Sequence, residues 1–426
     1  MEPVTIGLLA VAALLVLIAL RVQIGVSLIL VSFLGLWAIA GLRPALSMIS
    51  TIPYSSTASW TLSSIPMFLL MGYVAYYSGL TRGLFEAARL WWGWMPGGLA
   101  IASLVGASGF AAVSGSSVAC SAAIGRIAVP EMARAGYDLR IATGSVAAGG
   151  TIGALIPPSI ILILFGIQSN SSINALFLGG LFLGLASLAF YILAVLIVWL
   201  RNPGLLPRET GRSMADPWRK TAEIWPVLVL IVGVLGGLFS GFFTATEAGA
   251  FGAALALVLG ILRRTMSWAD FKASVFETLV ATSALFIIAV GANLFTRLVA
   301  MSGLSHQMGE FVGALGLGTT GLLILIVLIY LVLGMFLEPI GALLLTLPLF
   351  LPLIQGHGID VIWFGLLVAK LLEVGMITPP VGLNVFIIHS VARDYVRLDQ
   401  IFAGIVPFLL ADLALIAVML LTRPFF

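Results

Sequence analysis

Two stretches decide how this chain folds: Ser114–Ser159, which opens SGSSVACSAAIGRIAVPEMARAGYD and closes GGTIGALIPPS, and Phe336–Gly382, which opens FLEPIGALLLTLPLFLPLIQGHGID and closes EVGMITPPVG. An offset of 222 carries Pro130 onto Pro352, Gly136 onto Gly358, Asp138 onto Asp360, Gly153 onto Gly375, Pro157 onto Pro379 and Pro158 onto Pro380. These residues start, stop or break helices, and they agree without a gap. The chain therefore contains one unit twice. The flanks agree more loosely, with Ser78-Gly79-Leu80 recurring as Ser302-Gly303-Leu304.

Composition fixes the class. With 61% hydrophobic and 9% charged residues and a mean hydropathy of +1.19, the chain lacks the charged surface of a soluble domain. Continuous apolar runs of about twenty residues cross a hydrocarbon core of about 30 Å as helices, and no segment alternates with the period of a membrane barrel. The expected fold is an all-α polytopic membrane protein embedded in a lipid bilayer. The net charge of +3 belongs to loops flanking the spans and implies no nucleic-acid partner. One cysteine, Cys120, excludes an internal disulfide and a cysteine metal cluster. The N-terminal run MEPVTIGLLAVAALLVLIALR has neither a basic start nor a small-residue cleavage site, so it reads as a retained helix.

Helices are expected at 4–20, 22–42, 60–78, 140–168, 174–200, 224–242, 244–262, 272–300, 361–390 and 403–421, which makes ten crossings. Segments 97–130 and 319–354 differ, because each has two apolar limbs around a break, at Ser114–Ser117 or Glu338–Pro339. A limb such as Val118–Val129 reaches only about 18 Å, so each pair is expected to be a re-entrant hairpin. The domain reading is scaffold helices over 1–59, a first repeat over 60–200, a cytoplasmic linker over 201–223 and a second repeat over 224–426. Three crossings per repeat turn the second copy upside down. Charge agrees: one side collects Arg21, Arg82, Arg89, Arg134, Arg140, Arg201, Arg208, Arg212, Arg219, Lys220, Arg263, Arg264, Lys272, Arg393 and Arg397, the other little beyond Arg43 and Arg423. The basic side is the cytoplasm and both termini are expected outside. Amphipathic pieces at 81–94 and 302–315, one with Arg82, Glu86 and Arg89 on a face and the other with His306 and Glu310 one turn apart, read equally as surface arms or ordinary loop helices.

Chemistry concentrates at the breaks. Proline removes a donor and frees carbonyls, which membrane interiors tolerate where they line a cavity or meet a ligand. Hydroxyls and unwound carbonyls suit Na⁺, and half-helix N-termini suit a carboxylate. The candidate Na⁺ ligands are Ser114, Gly115, Ser116, Ser117, Thr151, Gly153 and Pro157 in the first copy, and Gly334, Glu338, Gly375, Thr378 and Gly382 in the second. Ser116, Ser159, Thr378, Asn384 and Arg297 are candidates for a substrate carboxylate, with Arg297 also readable as snorkelling. The bland alternative is a pair of proline kinks whose freed groups meet Ser and Thr. Lys370 and Glu373, three apart on one helix, are expected to pair with each other; Asp412, Glu247 and the Arg126/Glu131 pair have no assigned role. No HExxH, Walker loop or Ser-His pairing supports an enzyme.

The segments SGSSVACSAAIG, VPEMARAGYD, GGTIGALIPPS, LGMFLEPIGA, LPLFLPLIQGHGID and GMITPPVGLNVF resemble, in order and over nearly the whole chain, the large membrane subunit of tripartite ATP-independent periplasmic (TRAP) transporters, the DctM family. The family more often carries Asp where this chain has Glu338. The resemblance implies a bacterial inner-membrane, sodium-driven importer of organic acids such as C4-dicarboxylates, sialic acid or other sugar acids. It also implies an elevator motion, a small four-helix membrane subunit and a periplasmic substrate-binding protein. Two further readings are a self-sufficient carrier of the divalent-anion/Na⁺ type and, far weaker, an intramembrane hydrolase built on Ser116 or Ser117.

Overall fold

A computed structural model describes residues 2–81, 83–207, 221–314, 316 and 318–423. Arg82, Arg208, Arg212, Arg219 and Lys220, and with them most of the expected linker, lie outside the described residues. Among those residues all regular structure is helical: α1 Pro3–Ala19, α2 Ile24–Ala40, α3 Leu42–Thr57, α4 Ser64–Tyr77, α5 Gly83–Trp92, α6 Gly98–Ser114, α7 Ser117–Arg134, α8 Leu139–Thr151, α9 Ile160–Ser169, α10 Ile173–Arg201, α11 Trp225–Phe239, α12 Ala245–Leu262, α13 Trp268–Ser302, α14 Leu304–Ala314, α15 Thr319–Phe336, α16 Pro339–Gly356, α17 Val361–Gly375, α18 Leu383–Ala392 and α19 Leu398–Thr422. Six of them, α10, α12, α13, α15, α16 and α19, are long and apolar enough to cross a membrane.

The duplicated punctuation does the same physical work in both copies. Asp138 caps α8 by accepting from the Arg140 amide at 2.9 Å, and Asp360 caps α17 by accepting from the Trp363 amide at 2.7 Å. The Arg140 guanidinium, 2.8 Å from the Asp138 carboxylate, also holds that carboxyl below its usual range. Gly136 and Gly358, at φ of +74° and +63°, end the preceding helices in the left-handed region.

Packing divides the helices into two groups. One comprises α1–α4 with α11–α13, in which α13 lies along α2, α3 and α4 while α12 packs on α4. The other gathers α6–α10 and α15–α19, and within it each hairpin lies on the broken helix of its own repeat: α6 and α7 on α8, and α15 and α16 on α17. The halves are also exchanged, since α7 packs on α18 and α16 on α9.

Several expectations change. Helix α3 was not foreseen, because its Ser and Thr residues dilute the apolar signal; in the helix, Thr51 and Thr57 donate back to the Ser47 and Pro53 carbonyls at 2.8 and 2.7 Å. The hairpin limbs are longer than the short limbs expected, at 17 residues for α6 and 18 each for α7, α15 and α16. Pro130, Pro348 and Pro352 lie inside these helices without ending them, each removing only one donor. Limb length therefore does not identify a hairpin. The amphipathic pieces are helices docked on their own hairpins, α5 on α6 and α14 on α16. Glu131 pairs not with Arg126 but with Arg89 of α5 at 3.1 Å and Arg134 at 2.6 Å. His306 and Glu310 do meet, at 3.4 Å on an exposed face.

Candidate functional site

Both hairpin tips reach one place. A cavity of about 730 Å³ is lined by Ser114 and Ser116 of the first tip, by Phe336, Leu337, Glu338 and Ile340 of the second, and by Tyr73 and Tyr76 of α4. Apolar residues of α2 and α13, among them Ile24 and Ile287, close the opposite wall. The cavity thus lies between the two packing groups.

Each tip is a helix N-terminus aimed inward. Ser116 accepts from the Ala119 amide at 3.4 Å, and Glu338, in the equivalent position of the second copy, accepts from the Gly341 amide at 3.0 Å. Their half-helices point positive dipole ends and spare amides toward the cavity. Pro339 at the first turn of α16 fits, because its missing amide is one that would lack a helical partner.

Behind each tip sits a break. In the first copy, α8 ends at Thr151 in a 3₁₀ turn over Ile152–Ala154, the chain turns through cis Pro157-Pro158, and Ser159 caps α9. The Ser159 hydroxyl donates to the Ala154 carbonyl at 2.5 Å and accepts from the Leu162 amide at 3.3 Å, so it splints the break. Gly115, at φ +62°, abuts the Pro158 carbonyl, and a side chain at Gly153 would stand 2.9 Å from the Ser116 carbonyl. In the second copy α17 ends at Gly375, Pro379-Pro380 is again cis, and α18 follows Gly382. Thr378 donates to the Val374 carbonyl at 2.6 Å, and a side chain at Gly375 would stand 2.5 Å from the Gly334 backbone. Glycine permits the backbone contact between tip and break in both copies.

Sequence-based candidates divide three ways. Ser114, Ser116 and Glu338 line the cavity. Gly115, Gly153, Pro157, Gly334, Gly375, Thr378, Gly382 and Ser159 build the breaks and their contacts with the tips, and Asn384 is fully buried in the first turn of α18. Thr151 and Arg297 stand apart: Arg297 is exposed on α13 outside the cavity wall, and Thr151 joins a different cluster.

That cluster corrects the expected Lys370–Glu373 pair. Lys370 Nζ lies 2.6 Å from Asp412 of α19, donates to Ser187 of α10 at 3.0 Å, and sits over the Tyr191 ring at 5.2 Å. Tyr191 donates to the other Asp412 oxygen at 2.9 Å, and its hydroxyl lies 2.9 Å from that of Thr151, which itself donates to the Ala148 carbonyl at 2.7 Å. All five side chains are buried. Glu373 instead accepts from Ser117 of the first tip at 3.2 Å. Same-helix spacing could not reveal these partners. Tyr73 and Tyr76, three apart in an apolar helix, did leave a signal, since two polar ends on one face of a span mark a wetted or ligand-facing side.

Some buried polar atoms have no hydrogen-bonding partner among the described residues. They include Ser114 Oγ, Ser121 Oγ, Glu373 Oε2 and both terminal atoms of Asn384. Buried oxygens of this kind, beside unwound backbone, fit a small cation with oxygen ligands.

Comparison with known proteins agrees with this architecture. The family profile described as "Tripartite ATP-independent periplasmic transporter, DctM component" matches residues 11–425. The C4-dicarboxylate TRAP transporter large permease protein DctM of Pseudomonas aeruginosa is 34% identical over 340 residues, covering 79% of each chain. The sialic acid TRAP transporter large permease protein SiaM of Vibrio cholerae is 31% identical over 365 residues, covering 84% of each. Among solved structures, the YdaH transporter of Alcanivorax borkumensis superposes with a TM-score of 0.64 at 14% identity, covering 90% of each chain, a likeness of fold.

Proposed function

Because the chain belongs to the DctM family of TRAP transporter large permeases, we propose that it is the membrane subunit through which a small organic acid enters the cell with Na⁺, by an elevator motion. The observation that carries this reading is the convergence of both tips, Ser114–Ser116 and Phe336–Ile340, on one cavity between two packing groups. It is a transporter component rather than an enzyme.

In this reading α1–α4 and α11–α13 form the scaffold, while the hairpins α6–α7 and α15–α16 move with the broken helices α8–α9 and α17–α18. The two repeats are inverted, the basic loops are cytoplasmic and both termini are periplasmic. An organic acid, a C4-dicarboxylate or a larger sugar acid such as sialic acid, sits in the cavity with a carboxylate toward the N-termini of α7 and α16. Its wall includes no lysine or arginine among the described residues. The charge must therefore be met by helix dipoles, hydroxyls and cation.

Two tip–break pairs are the cation sites, one made by Ser114–Ser117 with Gly153–Pro157, the other by Gly334–Glu338 with Gly375–Gly382. Bound Na⁺ supplies positive charge beside the substrate and holds each tip on its break. The partners are a small four-helix membrane subunit and a periplasmic substrate-binding protein. TRAP large permeases work with such components.

The test is uptake into proteoliposomes, with organic acids scanned under a Na⁺ gradient. Uptake that needs the small subunit, the binding protein and Na⁺ is expected. Uptake by this chain alone would favour the self-sufficient carrier, and Na⁺-independent uptake would remove the cation sites.

A further inference from the structure

Resting on the Na⁺-coupled reading, we propose that the Glu373 carboxylate holds a monovalent cation, Na⁺, where the two repeats meet beside the first tip, through a carboxylate that neither tip–break pair includes. Glu373 lies in the last turn before the second break, yet its contact is with the first tip: Oε1 accepts from Ser117 Oγ at 3.2 Å. It thus bridges the N-terminal turn of α7 and the C-terminal turn of α17. Glu373 is fully buried, and Oε2 has no partner among the described residues.

Charge makes the case stronger than an unpaired oxygen alone. The charged groups facing Glu373 are Lys370, Glu338 and Asp412. Lys370 is already committed to Asp412 at 2.6 Å, and that pair is neutral as a unit. Glu338 is another carboxylate and cannot compensate. With Glu373 ionised, the buried cluster of Lys370, Asp412 and Glu373 carries one negative charge too many, which is costly at membrane depth and is relieved either by a proton on Glu373 or by a cation. One bound monovalent cation removes the excess.

The register between the copies points the same way. The offset that superposes the breaks places Glu373 on Thr151. Thr151 donates to the Ala148 carbonyl and meets Tyr191 inside the neutral cluster, so the first copy has no orphan at this position. The second copy replaces the hydroxyl by a carboxylate, one oxygen of which meets Ser117 of the first tip while the other is without a partner among the described residues. One helical turn beyond Ser117, Ser121 Oγ is buried against Gly150 of α8 and also without a partner among the described residues. The duplicated unit has thus diverged in charge at the point where the two copies touch.

The experiment uses the purified full chain in nanodiscs, with NaCl exchanged against choline chloride. It reads bound ²²Na⁺ per chain and the Na⁺-dependent rise in unfolding temperature, neither of which requires transport. Glu373→Gln keeps the shape and removes the charge. It is expected to bind one Na⁺ fewer, or to bind Na⁺ about tenfold or more weakly, the loss typical when a charged partner is neutralised. Ser116→Ala and Thr378→Ala, which alter the tip–break pairs, should retain the Glu373-dependent ion. If Glu373→Gln does not fold, Glu373→Asp decides: weaker Na⁺ binding at an unchanged count supports the site, and unchanged affinity overturns it. Unchanged count and affinity in Glu373→Gln, against a parent that binds Na⁺, overturns this site and leaves the functional reading standing. A parent that binds no Na⁺ overturns both.

Discussion

Ser116 and Glu338 stand 222 positions apart and play the same structural part. Each is the N-cap of an inward-aimed half-helix, and each side chain accepts from the amide three residues on, at 3.4 Å for Ser116 and 3.0 Å for Glu338. They differ in length and in charge: one tip presents a hydroxyl to the cavity and the other a carboxylate. The duplicated scaffold thus supplies two equivalent seats and fills them with different chemistry.

Glu338→Gln separates the two roles of that carboxylate. Glutamine can still accept from the Gly341 amide, so the cap survives and folding should weaken by no more than about 1 kcal/mol. The charge is lost, and uptake measured against Na⁺ concentration should need several-fold more Na⁺ for half-maximal rate. An unaltered Na⁺ dependence would leave Glu338 as a helix cap only.

Gly115 and Gly136 make a matched pair. Both have positive φ, +62° and +74°, so Gly→Ala costs each about 1–2 kcal/mol of backbone strain. At Gly136 the new methyl meets nothing within 4 Å, whereas at Gly115 it strikes the Pro158 carbonyl. Gly136→Ala should lower thermal stability slightly and leave uptake near normal. Gly115→Ala should nearly abolish uptake, because the tip can no longer rest on its break. Similar uptake in the two variants would contradict that contact.

The sequence showed both breaks, both tips and Asp138 and Asp360 as repeated punctuation, because proline, glycine and capping residues act locally and leave local marks. Helix α3 escaped, since a helix rich in Ser and Thr lacks the continuous apolar run used to find the others. The pairing of Lys370 with Asp412 is hidden from the sequence for a related reason. Helical spacing ranks neighbours on one helix, while Asp412 approaches from another element forty-two positions away. Thr151 shows the limit most plainly: it sits beside the break in sequence but turns its hydroxyl to Tyr191.

Topology follows from charge and can be tested with two exposed glycines. Gly204 lies just after α10, on the loop expected to be cytoplasmic, and Gly356 ends α16 at the far end of the second hairpin. In a Cys120→Ala background, a cysteine at position 204 should label from the cytoplasmic side and one at 356 from the periplasmic side. Labelling of both from one side would end the inverted-repeat reading.

The Lys370–Asp412 pair gives a prediction in which a double substitution is milder than either single one. Both groups are buried, at 0% and 1% exposure, and 2.6 Å apart. Lys370→Met leaves Asp412 charged with only the Tyr191 hydroxyl to satisfy it, and Asp412→Leu leaves an ammonium with only the Ser187 hydroxyl and the Tyr191 ring. Each should destabilise by about 3–5 kcal/mol, the usual cost of stranding one partner of a buried pair. The double variant removes both charges and should recover most of the loss, since an apolar pair of similar volume is often as stable as the ion pair it replaces. Thermal unfolding of the four proteins in detergent measures this as a coupling energy. Additive losses in the double variant would show that the two groups act independently, contrary to the contact between them. Because Lys370 is held by Asp412, the double variant should also retain the contact between Ser117 and Glu373, and its Na⁺ affinity should stay within about threefold of the parent, a shift well under the tenfold worth about 1.4 kcal/mol.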